Sequence, residues 1–462
     1  MNITIATGGS GGHVIPALKV ARELQKRKCE VRFAGAFNVW KERIAQAGFP
    51  FDELELRGMN FTRPWELPRT LWLYLKGTFA AGSLLKQYKA DVVVGFGGYG
   101  AFPVVLAAVL SGRPTLIHEQ NVLPGKANAV LSRLVKRIAV SFPQSRKYFR
   151  GGNVVLTGCP SHTPGVEMDG VEMDTRELLK EFGLQEGRKT ILVLGGSQGS
   201  RRLNEIFLEA VAGLKNKMPL QVIHLCGQNG YPALKEQYAR LGIPFALFAF
   251  FEAMERVYPA ADLVIGRAGA VSVTELIRFR KPSVLIPYPH AGGHQAKNAE
   301  VLAQAGVGEF IEQKNFTAAW LSGAVERMLA KTPSPQEWER HFGELLSLDP
   351  AAALADQIVN MEPHGLKPVV PGLPRLALRN RISDFKGKVP EISRKFLGIR
   401  YGKILFDNFA ILVGVIRRHA TSAESACSIF LHSRKYRTAP RLFTAFIHGL
   451  KSRGILRRRI KQ

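Results

Sequence analysis

Two segments roughly 190 residues apart are built alike. "NITIATGGSGGH", from Asn2, and "TILVLGGSQGS", from Thr190, each run from a short apolar strand through a glycine-rich turn into a helix start. A strand that is apolar throughout must be covered on both faces, and a helix that follows such a turn folds back over a parallel sheet. Further strand candidates, "VRFAG", "DVVVGF", "PTLIHE", "RIAVSF", "LQVIHLC", "DLVIG" and "PSVLIPY", alternate with helical patterns up to about residue 360. This alternation predicts an α/β fold, and the doubled opening predicts two doubly wound domains. We place them at 1–160 and 161–362, joined near Gly158 to Pro164, where "TGCPSHTP" breaks the pattern. In such sheets ligands bind beyond the carboxyl ends of the strands, where both glycine turns fall.

Composition narrows the partners. With 462 residues, 46% of them hydrophobic, the chain can bury more than one core and is not disordered as a whole. Its net charge of +27 is uneven: residues 363–462 hold 22 Lys and Arg against four Asp and Glu. That balance favours an anionic membrane surface, nucleic acid or a phosphorylated ligand. No RNA- or DNA-binding signature is legible, so nucleic acid is not expected. Cys29, Cys159, Cys226 and Cys427 are widely spaced without a metal-binding pattern, which fits a thiol-reducing cytoplasm. Val92 to Gly112 is uncharged and near spanning length, but "GFGGYGAFP" in its middle reads as a loop between a strand and a helix starting near Phe102. "TLWLYLKGTFAAGSLLKQYK", from Thr70, reads as an amphipathic helix that either packs on the sheet or lies on anionic lipid through Trp72, Phe79 and its lysines. The tandem "GVEMD" at 165–174 suits an exposed linker.

The glycines of "TGGSGGHVIP" let backbone approach a ligand and expose N–H groups at a helix start, where an anion is favoured. Neither the dinucleotide fingerprint nor the Walker pattern is met. His13 follows the turn directly and can take a proton near neutrality; on the motif alone it can equally cap or pack the helix. Pro16 is expected in the helix's first turn, where its missing N–H costs nothing. "GGSQGS", "GRAGAVSVTE" and "PYPHAGGHQAKNAE" supply further turns entering helices: Ser197 to bond a phosphate or base, the N–H groups from Ala270 to hold a diphosphate, and Glu275 to accept from ribose hydroxyls. His290 and His294 are four apart, but the intervening "AGG" speaks against a helical metal pair.

Together, "TGGSGGHVIPA", "GFGGYGAFP", "IHEQNVLPGKAN", "LGGSQGSRRLN", "RAGAVSVTE" and "PHAGGHQAKNA" closely resemble the MurG family of bacterial glycosyltransferases over about residues 1–360. The resemblance implies a GT-B fold, two Rossmann-like domains facing a cleft, with a basic C-terminal extension outside the family pattern. It implies transfer of N-acetylglucosamine from UDP-N-acetylglucosamine to the C4 hydroxyl of lipid I, undecaprenyl-pyrophosphoryl-MurNAc-pentapeptide, giving lipid II with inversion and without an essential metal or other cofactor. The place of action implied is the cytoplasmic face of the membrane, held peripherally. His13 falls at the family's general base. By the same resemblance Ser10, Gly11 and Gly12 would line the donor site and approach the acceptor's pyrophosphate, Asn121 would contact the sugar, Gln295 the donor sugar and Ser197 the nucleotide, and Phe251 would meet uracil through its backbone. Ala270, Val271, Ser272, Val273, Thr274 and Glu275 correspond to the diphosphate and ribose contacts.

The chain departs from the family in places. Ser10 replaces a threonine, and the family's "GNPVR" reads "GCPSH", so Cys159 replaces asparagine and His162 stands where an arginine contacts ligand. A histidine lacks the permanent, bidentate charge of arginine. Two other readings stay open: a UDP-sugar transferase with another lipid acceptor, and a non-catalytic membrane or nucleic-acid binder with a degenerate site.

Overall fold

The first sheet forms where the sequence places its most apolar runs. In a computed structural model, which describes residues 1–59, 63–149, 153–162, 174–196, 199–289 and 292–361, strands β1 (Asn2–Gly8), β2 (Glu30–Ala36), β3 (Phe51–Glu53), β4 (Val92–Gly95), β5 (Thr115–Glu119), β6 (Arg137–Val140) and β7 (Asn153–Leu156) join in the order β3-β2-β1-β4-β5-β6-β7. Every pairing is parallel. Helices α1 (Gly11–Lys26), α2 (Lys41–Gln46), α3 (Leu67–Gln87), α4 (Gly98–Leu110) and α5 (Lys126–Leu131) connect them. Ile3, Ile5, Val92 and Val94 lie in one core with Val14, Ala17, Val20 and Leu24, the inward stripe of α1.

The second sheet repeats the plan. Strands β8 (Lys189–Leu194), β9 (Leu220–Leu225), β10 (Phe245–Phe248), β11 (Leu263–Gly266), β12 (Ser283–Leu285) and β13 (Gly308–Phe310) run parallel in the order β10-β9-β8-β11-β12-β13. Around them lie α6 (Thr175–Glu181), α7 (Arg201–Leu214), α8 (Tyr231–Leu241), α9 (Met254–Val257), α10 (Ala270–Arg278), α11 (His294–Gln304), α12 (Ala318–Ala330), α13 (Pro335–Leu346) and α14 (Pro350–Val359). The last helix leaves the second sheet: its Leu354, Ala355 and Ile358, with Met361 just beyond it, pack into the first sheet's core. Arg27, which caps α1, donates to Ala352 O at 3.2 Å and Arg137 donates to Gln357 O at 2.8 Å.

Residues 1–57, 80–109 and the described residues from 113 onward form one compact unit that holds both sheets; residues 58–79 and 110–112 belong to a second. Two local expectations are corrected. The glycine turn of "GFGGYGAFP" is itself the first turn of α4, which begins at Gly98 rather than near Phe102. Pro16 is the sixth residue of α1, so it lies in the second turn and deprives the Gly12 carbonyl of its helical donor. The uncharged stretch from Val92 is a strand followed by a 13-residue helix, and among the described residues no helix is long and apolar enough to cross a membrane. Cys29, Cys159 and Cys226 are buried free thiols. The tandem "GVEMD" through residue 173, Ser197, His290, Cys427 and the basic extension lie outside the described residues.

Candidate active site

The carboxyl ends of β1 and β2 approach so closely that side chains are excluded. A Cβ at Gly8 would lie 2.1 Å from Ala36 O, and one at Gly35 would lie 2.0 Å from Thr7 O. The chain then enters α1, whose cap residue Ser10 is exposed and makes no side-chain cap bond, so the helix's first N–H groups remain available. Gly11 packs beneath Trp40, where a Cβ would meet the indole at 2.5 Å, and Gly12 is exposed. His13 projects against the second glycine turn. At Gly98 a Cβ would sit 2.5 Å from Gly8 O and 3.1 Å from His13 Cδ2, so "GFGGYG" clears the space that the imidazole occupies.

His13 Nδ1 lies 3.2 Å from Gln120 Oε1. Burial pushes its pKa below the ordinary value, while the Glu119 carboxylate and the hydrogen bonds to Gln120 and the Phe96 carbonyl pull upward and His294 pushes further down. The imidazole is therefore neutral near neutrality, the form a proton acceptor needs. Buried Glu119 organises the loop around it. Its Oε1 accepts from Asn121 N at 2.9 Å and Asn121 Nδ2 at 3.2 Å; its Oε2 accepts from Gly125 N and Asn128 Nδ2, both at 3.0 Å.

This loop also meets the second sheet's elements. Asn298 of α11, fully buried, accepts from Val122 N at 3.0 Å and donates to Asn121 Oδ1 and Ala268 O, each at 3.0 Å. His294 Nδ1 donates to Leu123 O at 2.8 Å. Asn121, expected at the sugar, is thus held by hydrogen bonds on both its amide atoms. Gln295 accepts from Tyr288 N at 2.9 Å.

Opposite, Gly269 in extended conformation leads into α10, so Ala270, Val271 and Ser272 carry the helix's unpaired first N–H groups. Val273 gives its N–H to Gly269 O at 2.9 Å and is wholly buried; Thr274 is also buried. Glu275 is buried too, accepting from Tyr258 Oη at 2.9 Å and His162 N at 3.4 Å, and burial pushes its pKa up to about 7. His162 Nδ1 lies 3.0 Å from Glu255 Oε2, and burial with the Lys19 charge pushes its pKa down to about 4. The histidine that replaces an arginine therefore turns to a carboxylate of the second sheet's layer. Phe251 packs edge-on to Phe182, ring centroids 5.8 Å apart. Ser197 lies outside the described residues; at Gly199, two residues on, a Cβ would lie 2.3 Å from Cys226 O.

Sequence reading passed over three groups here. Lys19, on α1, faces Glu275 and Glu255 electrostatically. Arg267, at the end of β11, donates to Ser200 Oγ at 2.7 Å, Gln313 Oε1 at 2.7 Å and Ile286 O at 3.0 Å, placing a cation beside the β8 turn. Gln120 touches the candidate base itself. Among the described residues no group of three or more His, Cys, Asp or Glu is placed to hold a metal ion. The arrangement pairs a neutral imidazole on one sheet with an anion-binding helix start on the other, a geometry suited to moving a group from a diphosphate to a hydroxyl.

Comparison with known proteins agrees. The model of the glycosyltransferase family 28 N-terminal domain matches residues 3–140, and that of the C-terminal domain matches residues 190–357. The UDP-N-acetylglucosamine--N-acetylmuramyl-(pentapeptide) pyrophosphoryl-undecaprenol N-acetylglucosamine transferase of Desulforamulus reducens is 35% identical over 340 residues, 71% of this chain and 90% of that protein. Its counterpart 1 in Bacillus anthracis is 33% identical over 351 residues, 75% of this chain and 95% of that protein. The crystal structure of Acinetobacter baumannii MurG superposes with a TM-score of 0.61 at 30% identity, covering 78% of this chain and 99% of that one.

Proposed function

The chain belongs to the MurG family, within glycosyltransferase family 28, and from that premise we propose that it transfers N-acetylglucosamine from UDP-N-acetylglucosamine to the C4 hydroxyl of lipid I, forming lipid II for peptidoglycan. The observation that carries the mechanism is the His13 imidazole in its glycine-cleared pocket at the carboxyl end of β1, where burial favours the neutral form. His13 accepts the proton of the acceptor hydroxyl as that oxygen attacks the anomeric carbon. The bond to UDP breaks on the opposite face, and a single displacement inverts the centre. The leaving diphosphate gains negative charge, which the N–H groups of Ala270, Val271 and Ser272 and the dipole of α10 stabilise, with the Arg267 guanidinium nearby. Ser10, Gly11 and Gly12 form the acceptor-side wall, where the exposed N–H groups of α1 receive the lipid's pyrophosphate. Asn121 and Gln295 contact the donor sugar, the Phe251 backbone the uracil, Ser197 the nucleotide and Glu275 the ribose; His162 serves the donor side through Glu255.

The acceptor is a lipid, and we place the enzyme peripherally at the cytoplasmic face of the membrane. Trp65 is 68% exposed ahead of α3, which carries exposed Lys76, and the last hundred residues are strongly basic. The test is which acceptor releases UDP from UDP-N-acetylglucosamine. A lipid I analogue is expected to do so with formation of disaccharide-lipid, whereas turnover only with a diacylglycerol-type acceptor would assign the chain to another transferase.

A further inference from the structure

Gln120 takes no part in the displacement described above, yet it is buried directly behind His13. Carbonyl groups fix the direction of its amide. Nε2 lies 2.9 Å from Phe96 O and 3.4 Å from His118 O, and since both oxygens only accept, the NH₂ end faces them and Oε1 faces His13 Nδ1 at 3.2 Å. His118 is fixed in the same way: its Nε2 lies 2.9 Å from Gly158 O and must carry hydrogen there, so its Nδ1 accepts from Gln120 Nε2 at 3.1 Å. Burial keeps His118 neutral, with its pKa down at about 4, so this donor pattern persists across the neutral range. From Gly158 O to His13 the hydrogen bonds therefore have one self-consistent direction.

We propose that Gln120 is a positioning residue that holds the proton of neutral His13 on Nδ1 and so leaves the Nε2 lone pair to accept the proton of the acceptor hydroxyl. The inference rests on the reading of His13 as the base. A neutral imidazole has two tautomers, and the other one presents an N–H where the lone pair is required. An amide oxygen selects between them without itself taking a proton. The imidazolium formed during the reaction is stabilised by the Glu119 carboxylate and by hydrogen bonds to Gln120 and the Phe96 carbonyl, against the opposing influence of His294 from α11.

The test is ¹⁵N NMR of the full-length protein labelled at histidine, with the His13 signals assigned by their loss in His13→Ala, combined with turnover of Gln120→Leu and Gln120→Glu. In the wild type above the His13 titration, Nδ1 is expected to give the protonated-nitrogen signal and Nε2 the bare-nitrogen signal. Gln120→Leu should reverse or average the two and lower kcat by about a hundredfold or more, with the KM for UDP-N-acetylglucosamine within about twofold. Gln120→Glu keeps an acceptor at Nδ1, so it should keep the wild-type pattern and shift the acid limb of the pH–rate profile upward, while the loss of the donors to Phe96 O and His118 Nδ1 lets turnover recover only in part. A wild-type signal from protonated Nε2, or an unchanged pattern in Gln120→Leu, overturns the proposal. Should Gln120→Leu fail to fold, the wild-type and Gln120→Glu spectra decide. Reversal of the pattern without loss of turnover upholds the role of Gln120 and instead refutes His13 as the base.

Discussion

At the residue scale, the site is defined as much by missing side chains as by His13. Gly98→Ala puts a methyl group 2.5 Å from Gly8 O and 3.1 Å from His13 Cδ2, at a φ of +77°. It is expected to displace the imidazole and reduce kcat at least tenfold, while costing about 1–3 kcal/mol in denaturant unfolding; full activity would show that the pocket is not tightly built. The buried titratable groups predict a pH dependence of stability. Burial lowers His118 and His162 to about 4 and His224 to about 3, so below pH 6.5 the unfolded chain binds protons that the folded chain refuses, and stability falls on acidification. Glu275, raised from 4.5 to about 7, acts in the opposite sense: its contribution is full below pH 4.5 and is lost as pH rises through 7. Glu275→Gln should therefore lack the loss of stability that this group gives the wild type between pH 4.5 and 7 in urea titrations; equal pH dependence over that range would contradict the assignment. His13 was legible because a histidine next to a glycine turn is conspicuous in a sequence. Gln120 was not, because its meaning lies in two distant partners, Phe96 O and His13, which only the fold brings to it and its near neighbour His118.

At the element scale, the nine strands read from apolar runs are all interior to their sheets. The four that were missed, β3, β7, β10 and β13, are the four edges. Edge strands are covered less completely, so "FDE" and "GEF" need no continuous apolar run. The return of α14 escaped for a different reason: its apolar stripe shows that it packs, but not on which sheet. Leu354→Ala is expected to cost about 2–5 kcal/mol. Hydrogen exchange should accelerate in α1 and β1 rather than in β8 or β11, although α14 follows the second sheet in sequence. Faster exchange confined to the second sheet would contradict this packing.

At the scale of the whole molecule, α14 ties the end of the second half to the first, while Asn298 and His294 join the two at the site itself. The division into two doubly wound halves was legible from the repeated strand–turn–helix opening alone. The basic segment from 363 onward was legible only as charge. It predicts salt-sensitive binding to anionic vesicles that weakens on truncation after Met361. Equal vesicle binding by full-length and truncated protein at low and high salt would contradict that role. All of this serves one claim, that the chain joins a UDP-activated sugar to lipid I with His13 as the base. The direct measurement is disaccharide-lipid formation from UDP-N-acetylglucosamine and a lipid I analogue by the wild type and His13→Ala, with folding of the variant checked by circular dichroism. Product is expected with the wild type, and a kcat about 10²- to 10⁴-fold lower in the folded variant; no product with the wild type, or full turnover in His13→Ala, would rule out His13-dependent transfer to lipid I.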